Sequence, residues 1–463
     1  MINGNEFIRI GYKSGPIIGE ILKLIKKHYK HTPNRDILKI FQDVLDNYEK
    51  YLSDPILGDI AKLLAPVIIE KSSIEFDLLK EEDAVSLTIY GEDNIEPQTI
   101  EQMKLAARLP VAVKTALMPD GHLGYGLSIG GVLATKNAII PYAVGVDIGC
   151  RMCLTLYDMD ITILDGQKDK LKQVLESQTR FGTGSEFEIG NRNDAQILDS
   201  NLFNELEILK SLRDKAWAQL GSSGSGNHFV EFGIVHKDDK QYIAILSHSG
   251  SRGIGAKIAD YYTKIAKQQC ILPDKAKNLA WLDLNSEAGQ EYWLAMNLAG
   301  DYAQACHHTI HKRIAKALGW TSIEMIENHH NFAWKEIYNG EELIVHRKGA
   351  TPAGQNVLGI IPSTMVHQGY IVKGKGNLKS LNSASHGSGR LMSRTKAKSN
   401  FTMSQMKALL KKKDVILIGG SLDESPMAYK DGRIVMGYQS ELVDIIGTFT
   451  PKIVRMAEES GEY

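Results

Sequence analysis

The residues best suited to chemistry in this chain are cysteine, histidine and aspartate side chains set among glycines. Asp147 and Cys150 stand three positions apart in GVDIGCRM, where Gly145 and Gly149 permit tight turns, so one loop can present a carboxylate and a thiolate to the same ion. His228 in SGSGNHFVEF and His248 in ILSHSGSRGIG each stand where an apolar, strand-like run meets a glycine-rich loop. ENHHNF offers His330, with His329 beside it as a rival. Each has a plainer reading: Cys150 as a small buried apolar residue, Cys150 and Cys153 as a C-x-x-C pair, any one histidine as a hydrogen-bonded core residue. Taken together, three imidazoles, a thiolate and a carboxylate outnumber the four ligands that close a structural zinc. They fit a two-ion centre in which the thiolate or the carboxylate bridges. Mixed N, O and S donors admit manganese, iron, cobalt or zinc.

A second set handles anions. SASHGSGRLMSR places His386 in a glycine-flanked loop before a helical stretch, where Gly387 and Gly389 let backbone N–H groups approach a phosphate and Arg390 and Arg394 add forked donors. HSGSRG repeats the pattern, with Arg252 close to His248. Either loop alone reads as a tight turn; two of them in one chain favour phosphate handling. A neutral imidazole can attack phosphorus, which makes His386 a candidate nucleophile. In the polar loop MPDGHLG, Asp120 either orients His386 through its ring N–H or forms an Asp-Gly turn.

Elements must hold these loops in place. From about residue 81, short β-rich runs (86–90, 242–246, 342–346) alternate with helical patterns (254–267, 287–318), with no strand–helix repeat of fixed period. That texture predicts an α+β fold rather than a barrel or a doubly wound sheet. Residues 1–80 differ: 17–25 and 37–51 repeat apolar residues every three or four positions, which predicts amphipathic helices, with Pro33-Asn34-Arg35-Asp36 as turn and cap and a lysine-rich polar face. The expected organisation is a helical N-terminal extension, 1–80, followed by a large catalytic domain, 81–463.

With 463 residues, 43% hydrophobic and 24% charged, the chain has an ordinary globular composition, and a formal net charge of -1 shows no global pull toward nucleic acid. No apolar run approaches the roughly 20 residues needed to span a bilayer. The N-terminus lacks a secretory pattern, and four scattered cysteines make no disulfide framework. These features predict a cytoplasmic protein without membrane partners, its thiols reduced.

The motifs PDGHLGYG, IIPYAVGVDIGC, LGSSGSGNHFVE, LSHSGSRGIG, NHHNF, RKGA, GIIPSTM, SHGSGRLMSRTKAK and PMAYKD run in the order seen in the RtcB family of RNA-splicing ligases, which the chain resembles over roughly residues 100–440. The resemblance implies an enzyme that uses GTP and two manganese ions. It would join RNA ending in a 2′,3′-cyclic phosphate or 3′-phosphate, such as tRNA halves or cleaved RNA, to RNA with a 5′-hydroxyl. It implies that GTP guanylylates His386, that GMP passes to the RNA 3′-phosphate, and that the 5′-hydroxyl then displaces it. Its metal ligands would be Asp147, Cys150, His228, His248 and His330, with His330 chosen over His329 because Asn331 follows it. Asn227 and Glu231 match residues that hold the guanylate, Tyr429 falls where an aromatic stacks near the base, and Gly387, Ser388, Gly389 and Arg390 continue as nucleotide contacts. Arg252 suits an RNA phosphate or the leaving pyrophosphate, and Asp120 would orient His386. The resemblance also allows an archease-like activator as a partner.

Three positions depart from the family pattern, all at nucleotide or substrate contacts. Where the family commonly ends in Lys-Gly, this sequence continues through RMAEESGEY, with Met456 in the lysine's register and Arg455 and Lys452 as stand-ins. The loop usually reading Pro-Gly-x-Met-Gly is Pro362-Ser363-Thr364-Met365-Val366, with Gly369 where a serine is expected. Tyr125 replaces a lysine in an HLGKG-like turn. Two other readings therefore stand beside the ligase: a metal-dependent RNA cyclic phosphodiesterase with weakened ligation, and a non-catalytic RNA-repair binding protein. The complete ligand set argues against the latter, because lost activity shows first as lost ligands.

Overall fold

In the computed structural model, which describes residues 2–12, 16–30, 32–64 and 73–458, the chain divides into two units, Met1–Ser72 and Ser73–Tyr463. The first holds helices Gly4–Arg9, Pro16–His28, Asn34–Asp46 and Gly58–Leu64. Their apolar stripes meet in a core of Phe7, Tyr12, Ile21, Ile37, Phe41 and Val44, where the Phe7 and Phe41 rings pack edge-on at 5.4 Å. The helix expected over 37–51 ends at Asp46, and Tyr48–Tyr51 continues as a 3-10 turn. No side chain caps its start; Pro33 occupies the cap position, and Asp36 in the first turn meets the helix dipole instead.

The larger unit combines helices with two principal sheets, the α+β class. Strand Arg151–Tyr157, buried along its whole length, lies between Glu324–His329 and Lys240–Ser249 in an eight-stranded sheet. Phe229–Lys237, Val443–Glu458, Gly369–Gly374 and Leu358–Ile361 follow in that order, and Ile416–Gly420 pairs alongside Val443–Glu458. Continuous burial means that both faces are covered. On one, Tyr157, Ile243 and Ile245 pack under Ile310 and Ile314 of the helix Glu287–Leu318. On the other, Met152, Leu154 and Leu246 join Ile326, Ile360 and Phe449. That long helix starts where the Ser286 side chain accepts the Gly289 N–H and ends at Gly319, whose φ of 71° suits glycine.

The second sheet runs Asn331–Tyr338, Glu341–Lys348, Ile129–Thr135, Ala112–His122, Leu87–Ile89. One residue joins the two sheets. The chain leaves the first at His329, paired with Arg151, and enters the second at Asn331, paired with Lys348, so His330 sits at the junction. The segment MPDGHLG, expected as a loop, is instead the end of strand Ala112–His122. There the register shifts between Leu117 and His122, and the bulge turns Asp120 into the interior. Among the described residues, no helix is long and apolar enough to cross a membrane.

Candidate metal and nucleotide site

The eight-stranded sheet and its flanking loops bring five donors to one point. Cys150 directly precedes strand Arg151–Tyr157, and His248 stands on the next strand opposite Met152. His228 immediately precedes strand Phe229–Lys237, and the His330 N–H donates to the Cys150 carbonyl at 3.0 Å. The Cys150 Sγ lies 3.2 Å from His248 Nε2 and 3.5 Å from His228 Nε2. His248 Nε2 and His330 Nε2 are 3.2 Å apart, and Asp147 Oδ2 is 2.9 Å from His228 Nε2. Two overlapping triads result, Asp147–Cys150–His228 and Cys150–His248–His330, with Cys150 common to both. Gly250 is required beside them, because a Cβ there would overlap the Asp147 carboxylate. Asn331 steadies the loop: its Nδ2 donates to the Asp147 carbonyl at 3.3 Å while its Oδ1 accepts the Gly349 N–H at 2.8 Å.

The donors carry their lone pairs inward. His248 Nδ1 lies 3.0 Å from the Asn227 carbonyl, which can only accept, so Nδ1 bears the proton and Nε2 faces the cluster as a lone pair. Burial, and then the neighbouring His228, bring His248 down to about 3, which keeps it neutral. Burial together with His386 and His248 holds His330 well below the usual imidazole range. Burial raises the Cys150 thiol, and Asp147 raises it further. Burial also works to raise the Asp147 carboxyl, but His228 outweighs it and the net shift is downward. Sulfur, nitrogen and carboxylate lone pairs packed this closely and away from water are an arrangement that divalent cations stabilise by replacing protons. The donor set therefore fits two transition-metal ions sharing Cys150.

His386 stands beside this cluster, its ring 4.9 Å from that of His330. It follows strand Ser383–Ser385, which is pinned against Ala350–Pro352. Asp120 Oδ2 lies 2.7 Å from His386 Nδ1 and also accepts the backbone N–H groups of His386 and Gly387, at 3.1 and 3.2 Å. Burial pushes the Asp120 carboxyl up, yet the hydrogen bond and charge of His386 outweigh it and leave it lowered. An ionised Asp120 requires Nδ1 to be the donor, which leaves Nε2 as the nitrogen that holds the lone pair whenever the ring carries a single proton. Gly387, expected to offer its N–H to an anion, donates it to Asp120. The first turn of the helix Arg394–Asn400, from Arg394 to Lys396, lines the same cavity as His386. Gly389, at φ 74°, presses on the Asp120 backbone where a Cβ has no room.

A cavity of about 800 Å³ opens over both groups. Asp147, Cys150, His248, His330 and His386 line it, together with Asn227, Glu231, Gly387, Ser388, Gly389, Arg390 and Tyr429. Glu231 is buried and its carboxyl pushed well above the usual range by burial. Tyr429 donates its OH to Glu424, and the Arg390 guanidinium covers its ring face at 4.9 Å. His228 and Arg252 do not line the cavity. Arg252, at φ 58°, donates instead to Ser222 Oγ at 3.1 Å and the Gly182 carbonyl at 3.0 Å, tying loops beneath His228. At the departures from the family pattern, Tyr125, Gly369 and Met456 all line the cavity, while 459–463 lie outside the described residues. His329 turns away from the cluster to meet Arg151 at 3.1 Å and the Trp334 ring.

Sequence reasoning picked out RKGA as a motif but missed Lys348 within it as a site residue. Its buried ammonium lines the cavity, donates to the Tyr125 and Tyr142 carbonyls, and is brought down to about 7 by burial. Glu424, buried between Arg390 and Arg394, was also missed. Its partners are adjacent in space but about thirty residues away in sequence, so no local pattern marks it. A further Cys–His group, Cys153, His307 and His311, lies on the opposite face of the same strand. There the Ser247 Oγ sits 2.6 Å from His307 Nδ1 and 2.8 Å from His311 Nε2, with Thr155 Oγ1 2.7 Å from His311 Nδ1 and the Ser249 carbonyl 3.2 Å from His307 Nε2. Oxygens satisfy all four ring nitrogens with both imidazoles neutral, and the Ser247 hydroxyl occupies the space between the rings.

Comparison with known proteins points one way. The family model described as tRNA-splicing ligase RtcB matches residues 102–457. The RNA-splicing ligase RtcB of Escherichia coli K12 is 35% identical over 407 residues, covering 81% of this chain and 98% of that protein. The tRNA-splicing ligase RtcB of Methanococcus maripaludis is 31% identical over 421 residues, covering 73% and 87% respectively.

Proposed function

The chain belongs to the RtcB family, and on that premise we propose that it is a GTP- and manganese-dependent RNA ligase. In this reading it joins RNA 2′,3′-cyclic phosphate or 3′-phosphate ends to 5′-hydroxyl ends through guanylylated His386. The observation that carries the reading is the Asp120–His386 pair facing the twin triads: a buried carboxylate engages the ring Nδ1 and leaves Nε2 as the nitrogen for attack.

His386 Nε2 attacks the α-phosphorus of GTP; an N–P bond forms, the bond to the bridging oxygen breaks, and pyrophosphate leaves. Asp120 holds the ring in place and stabilises the cation that forms on it, without taking the proton. An oxygen of the RNA 3′-phosphate then displaces His386 and carries GMP away. The 5′-hydroxyl attacks the activated 3′-phosphorus, losing its proton, and GMP departs. Two manganese ions, held by Asp147, Cys150, His228, His248 and His330, would supply Lewis-acid stabilisation of phosphoryl charge. Glu231 offers a buried carboxyl group to the N–H edge of guanine, and Arg390 stands beside the nucleophile's loop as a phosphate donor.

Incubation with manganese and GTP labelled at the α-phosphate tests this: acid-labile label should appear on the wild type and vanish in His386→Ala. No label on the wild type, with and without an archease-type activator, overturns the ligase reading; label surviving in His386→Ala overturns the assignment. One observation favours a second reading. The wall near Glu231 is apolar, formed by Phe229, Phe449, Val454 and Met456, so nucleotide grip rests on few polar groups. Opening of a cyclic phosphate without joining identifies that phosphodiesterase.

A further inference from the structure

From Arg390 to Lys413 the sequence carries eight basic residues and no aspartate or glutamate. In the structure this stretch is two helices, Arg394–Asn400 and Met403–Lys412, joined by a turn. The second helix is anchored by a capping box at Thr402 and Gln405, and its buried residues are Met406 and Leu410. Those two pack against Met365, Val366, Val454 and Met456. Met365, Val454 and Met456 are themselves cavity wall, so this helix is the layer directly behind the wall. On its other faces Lys407, Lys411, Lys412 and Lys413 stand exposed, and none has an acidic partner among the described residues. At the near end, Arg394 and Lys396 reach the cavity lining.

A solvated face is the ordinary fate of such lysines, and three cations at a helix C-terminus favour its dipole. That accounts poorly for Lys407, a like charge one turn before Lys411, where the pair costs a few tenths of a kcal/mol without a compensating carboxylate. The charge also reaches the cavity rim: burial lowers His367, a lining residue, and the next contributor is Lys413.

We propose that Lys407, Lys411, Lys412 and Lys413 form a phosphate track that leads the RNA strand from solvent to the cavity over His386. The identity of the partner rests on the ligase reading; the existence of the track rests on charge and position. RNA is favoured over an acidic protein because the same basic stretch begins at the cavity lining with Arg394 and Lys396, where a strand with a reacting end must pass. Recognition there is sequence-independent, through backbone charge.

The test measures binding of a 3′-phosphorylated single-stranded RNA oligonucleotide to the full chain across a salt series, for the wild type and for the combined Lys407→Gln, Lys411→Gln, Lys412→Gln, Lys413→Gln variant. We expect Kd near 0.1 M salt to rise roughly tenfold or more and the log–log salt slope to flatten by up to about 3, with the matching lysine-to-arginine variant restoring both. Unchanged Kd and slope overturn the track and return these lysines to a solvated face. Protein labelling by GTP, run in parallel, tests the ligase reading separately. A chain that fails to label yet loses salt-dependent binding in the variant keeps the track and loses the ligase; one that labels with an unchanged slope does the reverse.

Discussion

Strand Arg151–Tyr157 and its neighbour Lys240–Ser249 have a cysteine–histidine cluster at each face, and the two clusters behave oppositely. On the cavity side Cys150 meets His228 and His248 with sulfur and nitrogen lone pairs converging. On the helix side Cys153 lies with His307 and His311, but serine, threonine and carbonyl oxygens answer every ring nitrogen. The same residue types make a candidate metal site in one place and a hydrogen-bonded core in the other. Hydrogen-bond completeness separates them: a donor set already satisfied gains little from an ion, whereas one left converging gains much.

The contrast breaks most sharply on substitution of the two cysteines. Cys150→Ala removes the donor common to both triads, so bound manganese per chain should fall toward zero and GTP labelling by more than the roughly 10–100-fold typical of outer-shell partners. Cys153→Ala should leave metal content at the wild-type level; equal losses in the two variants would erase the distinction. Asp120→Asn keeps the shape beside His386 but no longer compels Nδ1 to carry the proton, and labelling should drop by roughly 10²–10⁴-fold with bound metal unchanged. A fall in metal content would show that Asp120 acts on the ions rather than on the nucleophile.

On the satisfied face, Ser247→Ala leaves His307 Nδ1 and His311 Nε2 without their shared oxygen. Unfolding stability should fall by about 1–3 kcal/mol while manganese stoichiometry holds, measured by denaturant titration and metal analysis. The smallest effect is on pH dependence. Burial brings His311 down to about 3 from its usual 6.5, with His308 a lesser cause. Below pH 6.5 the unfolded chain therefore binds a proton that the folded chain refuses. Stability is full above 6.5 and falls progressively as the pH drops from there toward 3. The melting temperature should decline between pH 7 and 5, and the decline should be shallower in His311→Gln than in wild type. An equal slope would mean that the imidazole accepts its proton while folded.

Much of this architecture is legible in the amino-acid sequence. Apolar periodicity marks the helices over 254–267 and 287–318 and the strands around 242–246 and 342–346, because side-chain spacing reports directly on which face is buried. Glycine-rich loops flag Asp147, Cys150, His228, His248 and His386, because a turn that only glycine allows keeps its signature in one short stretch. Gly250 and Gly389 show why: a single Cβ would collide with Asp147 or Asp120. Other features have no such signature. The bulge that buries Asp120, the placing of Glu424 between two arginines, and the withdrawal of Arg252 from the cavity each depend on segments far apart in the chain.

The sequence by itself therefore pointed to the candidate donors, the setting of His386 and the secondary elements that carry them, all of which are local in composition and spacing. The motif order already implied His330 over His329 and Cys150 as the ligand; only the tertiary structure decided that the Gly387 N–H belongs to Asp120 and what packs against Cys150 on one face and Cys153 on the other. Alternation along a strand sends neighbours to opposite sides, and which side becomes a site depends on what the rest of the fold packs against it.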